Sequence, residues 1–483
     1  MRQSHSLIGL YIVITLSSAA IAQVSPLEAK KQQAAAAQRA AQMAATQRAV
    51  AQRAAKAAAA QAAADRAIAQ RFAQATAAEV SVNAGHEAYK SGDFLKAIFH
   101  YQQAAAFGLS IAQFNLGTIF DSGKEGVPTN KPLAVQWYRK AADQGYVDAQ
   151  ARLGFMYDNG DGIAEDNIQA VLWYRKAAEQ GYAVSQLNLA MMYYRGEGVG
   201  RDLIQAVKWF RKAADQRNAD AQNSLGLRYL DGEGVAKDLP QAIFWLSESA
   251  DQGNAIAQYN LGNRYAYGEG VAKDNSIAAE WYQKAADQGN ANAQYQLGLS
   301  YLFGKGVAKN PPKAIFWLRE SADQGNAFAQ FSLGLQYALG EGVGQDHSIA
   351  AGWYRKAADQ GNADAQSNLA YRYYTGEGVP KDYVEAASWY RKAADQGNAD
   401  AQNNLGAMYD NGEGVPEDNV EAVSWFRKAA DQGDPSATCN LGKMYERGEG
   451  VPEDKAKAVD LCRKAAEEGN DDAKALLRRL GAE

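Results

Sequence analysis

Two cysteines, four histidines and ten prolines in 483 residues leave little room for several common kinds of chemistry. Cys439 and Cys462 are too few for a disulfide framework. With His5, His86, His100 and His347 they match no spacing that zinc sites use, so neither a metal nor any other cofactor is expected. The patterns G-x-S-x-G, S-x-x-K and H-E-x-x-H are absent as well. Gly117 to Lys124 and Gly298 to Lys305 imitate a phosphate loop, yet each has five residues between its glycines and no Ser or Thr after the Lys. Acidic stretches such as Asp158-Asn159-Gly160-Asp161-Gly162 lack the carboxylate positions of a calcium loop. The chain is therefore read as not an enzyme. Long apolar runs are missing too, apart from Leu7 to Leu16, which is short for a membrane span of about 20 residues.

What the chain does have is a period. Leucines recur at Leu153, Leu189, Leu225, Leu261, Leu297, Leu333, Leu369, Leu405 and Leu441, 36 residues apart, and Leu116 precedes them with one inserted residue near Lys124. All nine tryptophans share one register: Trp137, Trp173, Trp209, Trp245, Trp281, Trp317, Trp353, Trp389 and Trp425. A residue type confined to one phase of a repeat is read as core, and the period as a solenoid. Within one unit, Ala401, Leu405, Gly406 and Tyr409 follow helical spacing until Gly412 and Gly414 interrupt it, ending a helix A. Asp418 with Glu421, Asp382 with Glu385, Asp166 with Gln169 and Asp202 with Gln205 read as N-caps and capping boxes that start a helix B, and Asn310-Pro311 marks the same boundary. Ala422, Trp425 and Ala429 form its buried stripe, and Gly433 ends it in a left-handed conformation. Arg217 stands in that terminating glycine slot, where a left-handed backbone costs about 1 kcal/mol.

The pattern A-x-x-x-L-G-x-x-Y-x-x-G-x-G-V-x-x-D-x-x-x-A-x-x-W-Y-x-K-A-A-x-x-G resembles the Sel1-like repeat family, relatives of the tetratricopeptide repeats, over residues 112 to 470 in ten copies. The resemblance implies an all-α solenoid, a right-handed superhelix of about eleven antiparallel helix pairs. It also implies a non-catalytic scaffold that binds proteins or, in some bacterial members, cell-envelope components. Cysteine-rich relatives staple their helices with disulfides, so a bridge between Cys439 and Cys462 stays open beside two free thiols.

Ahead of the repeats, Arg2, the apolar run and Ala20-Ile21-Ala22 form a secretory signal pattern cleaved after Ala22, which implies an exported, periplasmic or secreted protein. Residues 23–80 are rich in Ala, Gln and Arg and read as a long helical spacer. Residues 27–80 hold eight basic and three acidic side chains, a net +5; Arg2 adds one, so the formal total of -5 leaves -11 on residues 81–483. An acidic repeat domain disfavours nucleic acid, whereas the basic spacer could touch an anionic envelope surface. Residues 81–111 resemble a tetratricopeptide-like capping unit, and 471–483 a C-terminal capping helix carrying Leu476, Leu477 and Leu480. Residues 219–290 match 291–362 over 72 residues, a duplicated pair of repeats.

In this resemblance helix A lines the concave surface. Subtracting the structural positions leaves four variable ones per repeat, at five and two residues before the anchor leucine and two and five after it. In the Leu405 repeat these are Asp400, Asn403, Ala407 and Asp410, an ordinary solvated surface. In the middle copies they read Ile256, Tyr259, Asn263, Ala266; then Asn292, Tyr295, Leu299, Leu302; then Phe328, Phe331, Leu335, Ala338. That is an apolar and aromatic patch of the kind that marks an interface, with Arg228, Arg264 and Arg372 expected at its edge. The competing expectation is that these side chains pack between successive A helices. The function that follows is an exported scaffold binding a protein or peptide of unknown identity. A cell-envelope glycan-binding protein or cell-wall hydrolase is the alternative, and self-association through the Ala-rich helix a third reading.

Overall fold

The computed structural model describes residues 25–482, so the signal segment 1–22 lies outside the described residues. They form twenty-three α-helices and no strand, with a lone bridge between Lys124 and Val127. None of these helices is long and apolar enough to cross a membrane. The chain divides into two compact units, one ending at Asn130 and one starting at Lys131.

The first unit contains α1 (Pro26–Lys90), α2 (Phe94–Ala106) and α3 (Ser110–Ser122). The Ala-rich spacer and the first helix of the expected capping unit are one uninterrupted helix of 65 residues, about 98 Å at 1.5 Å per residue. No Gly or Pro stands between Leu27 and Val80 to stop it, and Ser91-Gly92 finally does. Residues 26–77 are exposed throughout, and only Ala78, Val82, Gly85 and Ala88 near the end are buried. Ring contacts fix the α1–α2 corner: His86 meets Tyr101 edge-on at 5.6 Å, and Tyr89 meets Phe94 at 5.3 Å. The residue inserted near Lys124 is absorbed by a tight turn, in which Lys124 and Val127 exchange backbone hydrogen bonds of 2.8 and 2.7 Å.

In the second unit the 36-residue period becomes alternating thirteen-residue helices. In the Leu405 repeat, helix A is Ala399–Asn411 and helix B is Asn419–Asp431. Gly412 caps helix A in the left-handed region, and Gly433 turns the chain at φ 89° after helix B. The expected N-caps are all made. Asp418 accepts from the N–H groups of Val420 and Glu421, Asp166 from Gln169, Asp202 from Gln205 and Asn310 from Lys313. The return arm of the capping box is not made. The Asp418 N–H donates instead to the Tyr409 carbonyl of helix A at 3.0 Å, as Asp382 does to Tyr373 and Asp166 to Tyr157. A backbone acceptor within the same repeat has taken the donor that Glu421 would have satisfied.

The leucine anchors are buried, and so are Ala401, Ala422 and Ala429. The deepest large side chain of each helix B, however, is the residue after the tryptophan: Tyr138, Tyr174, Phe210, Tyr354, Tyr390 and Phe426. Tyr174, Tyr354 and Phe426 lie on the glycine that follows the anchor leucine, where a Cβ would strike the ring, as at Gly334 against Tyr354, whereas Ala190 and Ala370 take that slot in two other repeats. Tryptophan is core only in part. Trp173, Trp389 and Trp425 are buried and the other six half-buried, and seven of the nine carry a lysine ammonium over the ring, such as Lys428 on Trp425 at 3.6 Å. At Trp245 and Trp317 a preceding Phe244 or Phe316 packs edge-on instead, at 4.9 Å. Repeats are joined by the second glycine of each loop. Gly414, at φ 72°, sits so close to the first turn of the preceding helix B that a Cβ would overlap the Tyr383 carbonyl.

At the C-terminal end Asp471–Leu480 is the expected last helix, and its Leu476 and Leu477 are buried against the final repeat. Arg217 has φ 63° and is the sole non-glycine residue with positive φ among the described residues. Replacing it with glycine should raise stability by about 1 kcal/mol. A denaturant melt of Arg217→Gly checks this, and an unchanged or lowered midpoint would contradict it.

Candidate functional site

Each helix A packs one side on the following helix B and turns another outward, so the chemistry of that outer side is set by residues the fold does not need. The structure sorts the candidate positions by their place around the helix. Five residues before the anchor, Ile256 and Phe328 are open to solvent. Tyr259, Tyr295, Leu299, Phe331 and Leu335 are half-buried. Tyr259 lies 6.2 Å from the Tyr282 ring, Phe331 6.0 Å from Tyr354, and Tyr295 6.2 Å from Phe328 of the next helix A. Leu302, five after its anchor and 6 % exposed, belongs to the core, as does Ala338. Side chains on that flank fill the seam beside the next repeat, so the patch is narrower than its twelve positions.

The three arginines are not at its edge. Arg228, Arg264 and Arg372 are largely buried and ion-paired with Glu233, Glu269 and Glu377 of the loop that follows, Arg228 at 2.9 Å. Arg228 also stacks on Tyr194 at 4.2 Å, and Arg372 approaches His347 Nδ1 at 3.2 Å. Each Glu lies five positions after its Arg, which lets the pair clamp the G-x-G loop onto its own helix. Their role here is structural.

The open face continues through a position absent from the sequence argument, six residues after the anchor. Here Tyr267, Phe303 and Leu339 are the last residues of three successive A helices and are 64 %, 60 % and 62 % exposed. Other copies have Asn159, Arg195, Asp231, Thr375, Asn411 and Arg447 in that slot. The signal was present: three large apolar residues in a register that is otherwise polar. At 100° per residue this position lies only about 20° around the helix from Ile256 and Phe328, whereas the Tyr259 position lies about 60° away from them.

Toward the C-terminus the same side changes character. Ser367, Tyr371, Asp400 and Asn403 border a shallow polar pocket of about 230 Å³. Beyond it, Asp410 pairs with Arg447 at 3.3 Å, Lys443 with Asp472 at 3.3 Å, and Glu446 with Arg479. Among the described residues no cluster of His, Cys, Asp or Glu could hold a metal. Cys439 and Cys462 are two free, fully buried thiols in the last repeat. They hydrogen-bond to each other, and that bond together with burial pushes the Cys462 thiol far above the ordinary thiol range.

Fold and surface together define a helical-repeat protein whose variable side chains lie along one side of its A helices. The chain belongs to the Sel1 repeat family: the family model matches residues 84–106, 110–146 and then nine consecutive 36-residue segments from 147 to 470, eleven copies in all. The first copy covers the unit that by sequence resembles a tetratricopeptide repeat. Among solved structures, a protective antigen of uropathogenic Escherichia coli with an SLR fold is 40% identical, covers 80% of this chain and 84% of its own, and superposes with a TM-score of 0.71. A Sel1 repeat protein from Oxalobacter formigenes is 36% identical over 68% of this chain and 93% of its own, with a TM-score of 0.49. Two curated relatives match over short stretches. Chitin synthase regulatory factor 3 of Schizosaccharomyces pombe is 38% identical over 72 residues, 15% of this chain and 8% of its own length. Cytochrome c oxidase assembly factor 7 of Xenopus tropicalis is 32% identical over 75 residues, 16% and 32% respectively. The match thus spans far less than two thirds of either relative.

Two outcomes follow. Tyr267→Asp, Phe303→Asn and Leu339→Thr together install residues that other copies carry, so each should change stability by no more than about 0.5 kcal/mol, whereas Leu302→Ala should cost about 2 to 5 kcal/mol. Thermal melts of the two variants separate open face from core, and a large loss in the triple variant would place the row in the core. A thiol reagent should label neither cysteine in the native protein and both after denaturation; native labelling would contradict the buried pair.

Proposed function

We propose that the chain is an exported, non-catalytic scaffold that binds a protein or peptide partner on the A-helix face between Ile256 and Leu339. The observation that carries this reading is the row Tyr267, Phe303 and Leu339. Three large apolar side chains lie open in consecutive repeats where polar residues fit the fold equally well. Exposed apolar surface on that scale lowers solubility unless something covers it. The half-buried Tyr259, Tyr295 and Phe331 border the row with aromatic surface of the kind that anchors interfaces. Family membership supports the class, because Sel1 repeat proteins are mostly scaffolds. The two short curated matches bear the names of a regulatory factor and an assembly factor. Export rests on the N-terminal signal pattern ending at Ala22.

A glycan-binding reading is favoured by one separate feature, the pocket of hydroxyls, carboxamides and two carboxylates around the exposed Tyr371. Such groups suit sugar hydroxyls. The two readings part in one experiment: the full chain and the Tyr267/Phe303/Leu339 triple variant are each used for a cross-linked pull-down from envelope extract and for sedimentation with purified cell wall. The scaffold reading expects a defined protein captured by the wild type and lost in the triple variant, without co-sedimentation. Co-sedimentation that survives the triple variant and fails in Tyr371→Ala would replace it with the glycan reading.

A further inference from the structure

Three repeats use the Arg–Glu loop clamp, and copies with Met or Gln in the arginine slot still keep the loop acid; the Leu297 repeat keeps neither. Where Arg228, Arg264 and Arg372 stand in their repeats, the Leu297 repeat has Ser300, and where every other 36-residue copy has Asp161 or a glutamate it has Lys305. The Arg–Glu pair has thus been replaced on both sides. Ser300 turns its hydroxyl back to the Gln296 carbonyl of its own helix at 2.8 Å and fills little of the space an arginine would take. The result is a cavity of about 260 Å³ between Ala266 and Lys305, bordered by Ser300, Gln296 and Asn275 and by two lysines, Lys273 and Lys305.

Neither lysine has a carboxylate within ion-pair distance among the described residues, and no acidic side chain lines the cavity. Glu269, the nearest loop acid in sequence, is held by Arg264. The Tyr282 hydroxyl at the cavity wall is already spent on Asn263 Oδ1, at 2.7 Å. Two uncompensated cations in one recess repel each other and favour an anion between them. The lining is also apolar: Tyr267 and Phe303 of the exposed row border the cavity together with Leu299, and Lys305 Nζ is 5.5 Å from the Phe303 ring centre. Positive charge in the recess beside aromatic surface matches a ligand that carries a carboxylate next to large apolar groups.

We propose that this cavity receives the carboxylate of an acidic side chain from a peptide whose neighbouring apolar residues lie along Tyr267, Phe303 and Leu339. The proposal rests on the scaffold reading and names the chemistry of its partner. Lys273 and Lys305 take the carboxylate, the row takes the apolar side chains, and the preference for acid over amide comes from the cavity alone.

The test uses the full chain and short fluorescein-labelled peptides in which Glu alternates with Leu and Phe, beside the same peptides with Gln for Glu, followed by fluorescence anisotropy. The Glu peptides should bind about tenfold more tightly than the Gln peptides, with a preference that weakens as salt rises. Ser300→Arg with Lys305→Glu installs the clamp that Arg264 and Glu269 form next door, so this variant should melt as the wild type does and lose the preference for Glu. Lys273→Gln alone should reduce it. Equal binding of the two sets, a Glu preference that persists in the double variant, failure of both sets to bind, or displacement by inorganic phosphate but not by acetate would each overturn the assignment. Equal binding that is abolished by the row variant would remove the carboxylate site while leaving the scaffold reading intact.

Discussion

A buried carboxamide in every central helix A sets the terms for the rest of the second unit. Gln294 is 3 % exposed; its Nε2 donates to the Ala286 carbonyl of the preceding helix B at 3.2 Å, and its Oε1 accepts from Gln324 of the next helix B at 2.7 Å. The same two bonds recur from Gln150, Gln186 and Gln222 through to Gln402: the first reaches a carbonyl eight residues back, across the boundary to the preceding repeat, and the second joins residues 30 apart within one repeat. A buried amide left unpaired costs about 1 to 3 kcal/mol, so each repeat is registered on its neighbour by a bond that a slip of one residue would break. The ladder stops where its residue types stop. Thr438 takes the next slot and bonds back to the Asp434 carbonyl at 2.8 Å, and Glu468 takes the slot of the donating glutamine. There the capping helix Asp471–Leu480 takes over, closing the stack with leucines instead of amides.

Because glutamine ladder, loop glycine and leucine anchor fix spacing by themselves, the outer side of helix A is released from structural duty. Its chemistry can then change from one repeat to the next without disturbing the stack. It does so in blocks: apolar and aromatic from Ile256 to Leu339, hydroxyl and carboxamide around Ser367 and Asn403, charged and internally paired from Asp410 to Arg479. The surface is thus divided into regions of different chemistry, and the apolar block is the one whose exposure is hardest to explain by folding.

The period, the helix boundaries, the N-caps at Asp166, Asp202, Asn310, Asp382 and Asp418, the strain at Arg217 and the final helix were all legible, because each depends on residues near in sequence. What was not legible depends on how one helix A leans on the next. Spacing places Tyr259 and Leu302 on a common face with Ile256, and only the neighbouring helix decides that Leu302 is covered and Tyr267 is not. The arginines misled for a related reason. Arg264 three residues past its anchor reads as surface until the loop folds Glu269 back onto it. The return arm of the capping box failed where Tyr409 offered a closer backbone acceptor, a contact that spacing alone does not reveal.

The duplicated repeats sharpen the case for the cavity. Residues 219–290 and 291–362 match closely, yet Arg228-Tyr229-Leu230-Asp231-Gly232-Glu233 corresponds to Ser300-Tyr301-Leu302-Phe303-Gly304-Lys305. Tyr, Leu and Gly, which serve the helix and its cap, are kept, and the three residues that differ are the ones bordering the cavity. They are not independent. Losing the arginine alone is tolerated elsewhere, since Gln336 fills that slot beside a retained Glu341, but gaining a lysine beside a retained arginine would bring two cations together on one loop. Changing all three removes the clamp, opens the recess, reverses its charge and places a phenyl ring on its border. The fold does not require that combination, since the loop keeps one conformation whether the slot holds arginine, serine or glutamine, with Gly232 at φ 75°, Gly304 at φ 70° and Gly340 at φ 74°.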